Sequence, residues 1–139
     1  PFAFQLSDVG NETIDSEKLL GKVVIIECWA TWCGPCVKQL PQLKKLYEEK
    51  HATGLEVVGV SFDEDLEAAS KFHENQGLAW PLVAVPAPPD IRAIWKDANR
   101  IESIPRILVV DRKGVLRLDV SELPEDFDQQ IAALLEEGA

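Results

Sequence analysis

The sequence predicts an α/β domain, and two observations support this prediction. Two apolar runs, Val23–Ala30 and Leu55–Phe62, are nearly continuous and rich in β-branched residues, as expected of parallel strands buried on both faces. Each run is followed by a segment with the apolar spacing of an amphipathic helix. This alternation of strand and helix favours one sheet with right-handed crossover connections.

Length and charge limit what the chain can be. Its 139 residues suffice for a hydrophobic core, and we expect residues 1–139 to form a single domain. The net charge of −10 argues against a nucleic-acid or anionic-membrane surface, because both need a basic patch. No apolar run is long enough to span a membrane, and no signal peptide is visible. The abrupt start at Pro1 leads us to expect a piece trimmed from a longer precursor.

Short elements are expected before the first buried strand. Residues 2–6 alternate in polarity as a short strand would, and residues 8–13 carry turn-forming side chains. Ser16 is expected to cap a short helix over Glu17–Leu20, which Gly21 ends.

The sequence Trp32-Cys33-Gly34-Pro35-Cys36 lies between the first buried strand and a helix that runs to about Lys50. In this context a Cys-x-x-Cys pair indicates redox chemistry rather than half of a zinc site, since no second ligand pair has zinc-like spacing. At the helix N-terminus, unpaired N–H groups and the helix dipole favour the Cys33 thiolate. Cys36 follows one turn later, close enough to form a disulfide with Cys33.

Patterns along the rest of the chain predict the remaining elements. The motif helix should bury Val37, Leu40, Leu43 and Tyr47, bend at Pro41 and be followed by Gly54. Acidic residues 63–65 should favour the start of a second helix, with Leu66, Ala69 and Phe72 inside and Gly77 at its end. An extended segment 80–85, a proline-rich loop 86–89, a brief helix around Ile91–Trp95 and a polar loop 99–103 come next. A hairpin of strands 107–110 and 115–120 and a last helix with Phe127, Ile131, Leu134 and Leu135 inside complete the chain.

The run Cys28-Trp29-Ala30-Thr31-Trp32-Cys33-Gly34-Pro35-Cys36 resembles the active site of the thioredoxin superfamily, and the whole chain is similar to its TlpA/ResA-like branch. The resemblance implies a thioredoxin-like fold, with a central mixed β-sheet flanked by helices and an N-terminal hairpin. It also implies an extra strand–helix unit in the interval between Cys36 and Pro105.

The resemblance assigns roles to the motif residues. Cys33 would be the nucleophile and Cys36 the resolving thiol. Pro105 would be a cis proline that shapes the site, and Ile104 would offer backbone groups to an extended substrate. Trp32, Gly34 and Pro35 would form the rest of the substrate-binding surface, with Trp32 flanking and shielding the cysteines. An ordinary trans proline at position 105 is the alternative.

Three further positions need interpretation. Glu27 stands where thioredoxins carry a buried acid that accepts the proton of the resolving thiol; a carboxylate paired with a lysine or hydrated at a strand edge is the alternative. Many relatives carry a Glu where this chain has Gln39, which cannot take a proton. Cys28 is expected to be a buried, inert thiol. His51 and His73 are expected at solvated or dipole-facing positions and receive no ligand role.

The sequence therefore predicts a thiol–disulfide oxidoreductase that reduces protein disulfides and needs no cofactor or metal. By resemblance it would be a monomer outside the cytoplasm, kept reduced by a membrane thiol donor. Its substrates would be protein cysteines, as in apocytochrome c or copper-site proteins. A module that handles Cu(I) with the same thiol pair is the main alternative. A peroxidase of peroxiredoxin type and a purely structural domain fit the paired cysteines less well.

Overall fold

The computed structural model describes residues 5–7, 10, 12–84 and 104–138. The strands in these ranges are β1 Gln5–Ser7, β2 Thr13–Asp15, β3 Val23–Trp29, β4 Leu55–Ser61, β5 Leu82–Ala84, β6 Arg106–Val110 and β7 Leu116–Val120. The α-helices in the same ranges are α1 Gly34–Lys50, α2 Leu66–Asn75 and α3 Phe127–Glu136, and short 3-10 helices cover Ser16–Leu19 and His51–Thr53.

A mixed sheet forms the centre of the described part of the chain, with strand order β5-β4-β3-β6-β7. Strand β3 pairs in parallel with β4 and antiparallel with β6, while β4 pairs in parallel with β5. Strands β1 and β2 form a separate antiparallel hairpin. The predicted α/β class, mixed sheet and N-terminal hairpin are therefore confirmed.

The central strand β3 is buried along its whole length, as its apolar sequence predicts. Its side chains alternate between the two faces of the sheet. Ile25 and Trp29 belong to the larger core, which α1 and α3 cover with residues such as Leu43 and Phe127. The opposite face carries a second cluster, to which β2 contributes Ile14. Both sides of the sheet are thus packed, and the carboxyl end of β3 leads directly into the cysteine motif.

Helix α1 follows the prediction with one shift of its buried face. Its buried residues are Cys36, Leu40, Leu43 and Leu46. Val37 and Tyr47, which were expected inside, are only partly buried, while Leu46 was missed. Pro41 lies within the helix, and Gly54 follows the subsequent 3-10 turn with a φ of 112°. The buried face of α1 therefore includes Cys36, and the thiol of this residue lies in the core.

Two local predictions near helix ends are wrong. The first short helix is capped by Asp15 and not by Ser16, since the Asp15 carboxylate accepts the Glu17 N–H at 2.9 Å. In α2 the predicted inner residue Leu66 is 43% exposed. His73 was expected at a solvated or dipole-facing position, and it lies in the last turn of α2 but is only 9% exposed. An edge-to-face contact with Trp80, with ring centroids 6.2 Å apart, buries the imidazole.

The carboxyl-terminal half agrees with prediction where it is described. Strands β6 and β7 form the expected hairpin, and α3 buries Phe127, Ile131 and Leu134, with Leu135 partly buried. Strand β5 is the extra strand expected before Pro105. The start of the first predicted strand, the proline-rich loop 86–89, the brief helix around Ile91–Trp95 and the loop 99–103 lie outside the described residues.

One arginine of the β6–β7 turn joins three separate segments. The Arg112 guanidinium donates to the carbonyl oxygens of Gly21 at 2.5 Å, Thr53 at 3.0 Å and Leu135 at 2.8 and 3.2 Å. The neighbouring Gly54 leaves the room for it, because a Cβ at that position would lie 2.8 Å from Arg112 Nη1. These hydrogen bonds tie the 3-10 turn after α1 and the end of α3 to the turn that precedes β3.

Candidate active site

The two cysteines of the motif sit at the start of α1, at the carboxyl end of β3. Cys33 is the N-cap residue, with extended backbone angles, and its sulfur accepts the Cys36 N–H at 3.3 Å. The two sulfur atoms are joined in a disulfide, and the Cα atoms lie 5.3 Å apart. Both the predicted pairing and the predicted position at the helix N-terminus are confirmed. A Cys33 thiolate would meet the same N–H group and the positive end of the helix dipole.

Exposure differs between the two sulfur-bearing residues. Cys33 is 6% exposed and Cys36 is 1% exposed, so an incoming disulfide reaches Cys33 first. Pro35 falls in the first turn of the helix, where its missing N–H costs no hydrogen bond. The geometry therefore suits Cys33 as the attacking group and Cys36 as the internal one.

Asp63 holds the loop before the cysteine motif through hydrogen bonds to Thr31. Asp63 was expected to favour the α2 N-terminus, but it is 5% exposed and points to Thr31. Its carboxylate accepts the Thr31 N–H at 3.1 Å through both oxygens and the Thr31 hydroxyl at 2.6 Å. It also accepts the Ser61 hydroxyl at 2.6 Å. For Asp65 the predicted place at the helix start is confirmed, since its carboxylate caps α2 by accepting the Ala68 N–H at 3.1 Å.

The Ile104–Pro105 peptide bond is cis, as predicted. Pro105 and Pro35 both line an open groove of about 510 Å³. The remaining lining residues are Lys38, Gln39, Gln42, Ser121, Glu122 and Leu123. Pro35 belongs to the Cys33–Cys36 loop, so the groove adjoins this loop, and its walls are about equally polar and apolar.

The other predicted substrate-binding residues are accessible to different degrees. The side chain of Trp32 is 67% exposed, and Gly34 and Pro35 are exposed as well. Ile104 is partly buried against the core. Most of the indole of Trp32 is thus open to a partner, although it was expected to shield the cysteines. Their roles in binding stay predictions.

Glu27 is buried in the middle of the central strand, 2% exposed. Ile25 and Trp29, each two positions away along the strand, point to the same face as Glu27. Glu27 therefore lies on the sheet face that α1 covers. Its Oε1 atom has no hydrogen-bond partner among the described residues, and no described lysine or arginine forms an ion pair with it. Loss of hydration on burial raises the pKa of this carboxyl from 4.5 to about 8. The alternatives of a lysine partner or a strand-edge position find no support in this arrangement.

A Glu27→Gln variant should show how this burial makes stability depend on pH. Between about pH 4.5 and 8 the unfolded wild-type chain ionises at Glu27 while the folded chain stays protonated. The free energy of unfolding of the wild type should therefore fall as pH rises, by up to about 1.4 kcal/mol per unit, and this contribution should vanish in the variant. Urea unfolding of both proteins from pH 5 to 8 measures it. Parallel pH profiles for the two proteins would contradict a raised pKa.

The remaining thiol and the two histidines take no part in this arrangement. Cys28 lies on the opposite face of β3 and is buried, and burial first, then the nearby Glu27 carboxylate, raise its pKa. His51 is exposed and contacts Glu56 Oε1 through Nδ1 at 2.8 Å, while burial lowers the pKa of His73. Within the described residues, no three His, Cys, Asp or Glu side chains are grouped so as to hold a metal ion. In the same part of the chain, the helices are too short or too polar to cross a membrane.

Comparisons with known proteins agree with this site. The sequence profile of the redoxin family matches residues 1–130. The chain is 27% identical to the thiol-disulfide oxidoreductase ResA of Halalkalibacterium halodurans, over 98% of this chain and 75% of that protein. It is 26% identical to ResA of Bacillus subtilis, over 97% and 73%. A crystal structure of a thiol:disulfide interchange protein of the thioredoxin family from Chlorobium tepidum aligns with a TM-score of 0.83 at 25% identity, covering 96% and 93% of the two chains.

Proposed function

Since the chain belongs to the redoxin family and is a ResA-like thiol–disulfide oxidoreductase of the thioredoxin superfamily, we propose that it reduces disulfides in protein substrates. The observation that carries the exchange chemistry is the placement of Cys33, and the direction of the exchange is tested below. Its sulfur accepts the Cys36 N–H at the N-terminus of α1, so the chain itself stabilises the thiolate that attacks a disulfide.

The reaction begins from the reduced pair. The Cys33 thiolate attacks one sulfur of the substrate disulfide, forms a mixed disulfide and expels the other substrate sulfur as a thiolate, which water protonates. The Cys36 thiolate then attacks the Cys33 sulfur and releases the second substrate sulfur. Two electrons pass from the protein dithiol to the substrate, and the Cys33–Cys36 disulfide remains.

Glu27 is proposed to accept the Cys36 proton in the second step. It lies on the sheet face covered by α1, and its pKa of about 8 keeps both protonation states accessible near neutral pH. Gln39 lines the groove beside Pro35 and cannot replace it as a base. Glu27 would then return the proton to the departing substrate thiolate.

The groove that Pro35 and Pro105 line is proposed to bind the substrate chain on one side of the disulfide. An extended segment could pair with the backbone of Ile104 and lay side chains over Gln42 and Leu123. Trp32 would contact the substrate on the exposed side of Cys33, since aromatic side chains are common anchors at interfaces.

We also propose the cellular setting that the resemblance implied. The protein would act as a monomer outside the cytoplasm, and a membrane thiol donor would reduce its disulfide after each turnover. Cysteines of apocytochrome c or of copper-site proteins would be its substrates. The similarity to ResA proteins supports the extracytoplasmic part of this proposal. A reductant in an oxidising compartment needs a renewable source of electrons, which the membrane donor would supply.

The reduction potential of the Cys33–Cys36 pair tests the proposed direction. The protein would be equilibrated in glutathione or dithiothreitol buffers, and free thiols would be counted by alkylation and mass spectrometry. A potential near that of thioredoxin, about −270 mV, is expected. A potential near about −120 mV would make the protein an oxidant. Failure to form a reversible disulfide would refute the oxidoreductase mechanism itself.

A further inference from the structure

Gly59 of β4 lies beside the buried carboxyl group of Glu27. Gly59 is the register partner of Glu27, so its missing side chain lies next to this residue. A Cβ at position 59 would lie 3.2 Å from Trp80 Nε1, 3.3 Å from Trp29 Nε1 and 3.4 Å from Glu27 Oε1. Three polar atoms from two segments, β3 and the residues before β5, therefore surround one point, at distances that are short for a carbon atom.

All three atoms are buried and have no hydrogen-bond partner among the described residues. Trp29 is 1% exposed, and Trp80 and Glu27 are each 2% exposed. An indole N–H can only donate, and a buried carboxyl oxygen accepts. Leaving such groups unpaired costs about 1–3 kcal/mol each, so this arrangement of two donors facing one acceptor indicates a shared partner.

The surrounding backbone fixes the space. The Gly59 N–H donates to the carbonyl of Pro81 at 3.0 Å, which holds the neighbouring Trp80 beside β4. Trp29 packs against Phe72 of α2, with ring centroids 5.7 Å apart. The two indoles are thus positioned by independent contacts, and neither depends on Glu27 for its place.

Among the described residues, no titratable group around this position forms an ion pair with Glu27. His73 of α2 and Tyr47 of α1 pack their ring edges against Trp80, and burial lowers the pKa of the first and raises that of the second. Cys28 lies on the other side of β3. Arg106 of β6 and Asp119 of β7 pair with each other at 2.6 and 2.7 Å. Within the described part of the chain, dipoles rather than charges would therefore solvate an ionised Glu27.

We infer that the space beside Gly59 is a buried water site, in which one water molecule accepts from the indole N–H groups of Trp29 and Trp80 and donates to the Glu27 carboxylate. Three polar partners are within the two to four that a buried water needs. The water and its two indole donors stabilise the ionised form of Glu27. Trp80 and Gly59 are then positioning residues for the proton transfer, acting on Glu27 through the water, so this inference rests on the proposed role of Glu27.

The pKa of Glu27 tests the inference in the oxidised protein, where no turnover is involved. Carboxyl carbon resonances of glutamate-labelled protein would be followed against pH, and the Glu27 signal identified by its loss in Glu27→Gln. Trp80→Phe removes one donor, and Gly59→Ala fills the site with a methyl group. Both should raise the pKa of Glu27 by about one unit, a tenfold weaker acid.

Phe72→Leu is the matched control, because it disturbs the packing of Trp29 and leaves every donor in place. Its Glu27 pKa should equal that of the wild type. An unchanged pKa in Trp80→Phe or in Gly59→Ala would overturn the water site, as would an equal rise in Phe72→Leu. Since the titration does not depend on disulfide exchange, its failure would leave the reductase proposal standing, and the measured reduction potential would test that proposal separately.

Discussion

A Cys33→Ser variant is expected to lose protein-disulfide reduction, with a rate below about a thousandth of that of the wild type. A serine hydroxyl at the N-cap is not ionised near neutral pH and cannot attack a disulfide. The fold should survive, because Ser is a good N-cap residue and could accept the Cys36 N–H as the sulfur does. Turnover of a disulfide-bonded protein substrate with dithiothreitol as electron donor measures the loss, and circular dichroism checks the fold.

Cys36→Ser is the matched control for this prediction. It retains the attacking sulfur and lacks the one that resolves the mixed disulfide, so it should accumulate a covalent complex with its substrate. Mass spectrometry under non-reducing conditions should find this complex in Cys36→Ser and not in Cys33→Ser. Accumulation in the opposite variant would exchange the two proposed roles, against the greater burial of Cys36.

Replacing Arg112 with Met is expected to lower the free energy of unfolding by about 3 kcal/mol. Methionine keeps much of the aliphatic stem and removes the guanidinium donors. The carbonyls of Gly21, Thr53 and Leu135 would lose their hydrogen bonds to it, and the link between the three segments would be broken. Urea-induced unfolding, followed by far-ultraviolet circular dichroism, measures the change.

Arg117→Met provides the comparison within the same hairpin. Arg117 forms ion pairs with Asp111 and Glu137, each at 2.8 Å, but its side chain is 40% exposed. The ion pair with Glu137 is exposed and contributes little to stability. The Asp111 carboxylate is buried, but it keeps the hydrogen bonds from the Lys113 and Val115 N–H groups, so this variant should be destabilised less than Arg112→Met. An equal decrease in the free energy of unfolding of the two variants would show that the hydrogen bonds of Arg112 to the three carbonyls contribute no more than the ion pairs of Arg117.

The main architecture could be predicted because it depends on local patterns. The continuous apolar run of β3, the spacing in α3 and the turn residues before β7 each identify an element from a short window of sequence. The redox role of the cysteine pair could also be predicted, because four consecutive residues carry the chemistry. The strand before them and the helix after them are equally visible in the sequence.

The residues that were misjudged depend on contacts between different segments. His73 has the spacing of a helix rim, and an edge-to-face contact with Trp80, which lies beyond the end of the helix, buries it. Asp63 looks like a helix-start acid, but Thr31 satisfies it from 32 positions away. The cluster at Gly59 could not be foreseen for the same reason, because a glycine in a strand pattern does not show which side chains will fill the space beside it.

The Asp63 contact has a consequence for how this family can vary over evolutionary time. The Asp63 carboxylate accepts hydrogen bonds from two hydroxyls and a backbone amide, so substitutions at positions 31, 61 and 63 depend on one another. A homologue without an acid at position 63 would leave the hydroxyls of Thr31 and Ser61 without their acceptor. The three positions should therefore covary across homologues, while the neighbouring exposed positions 64 and 67 drift independently.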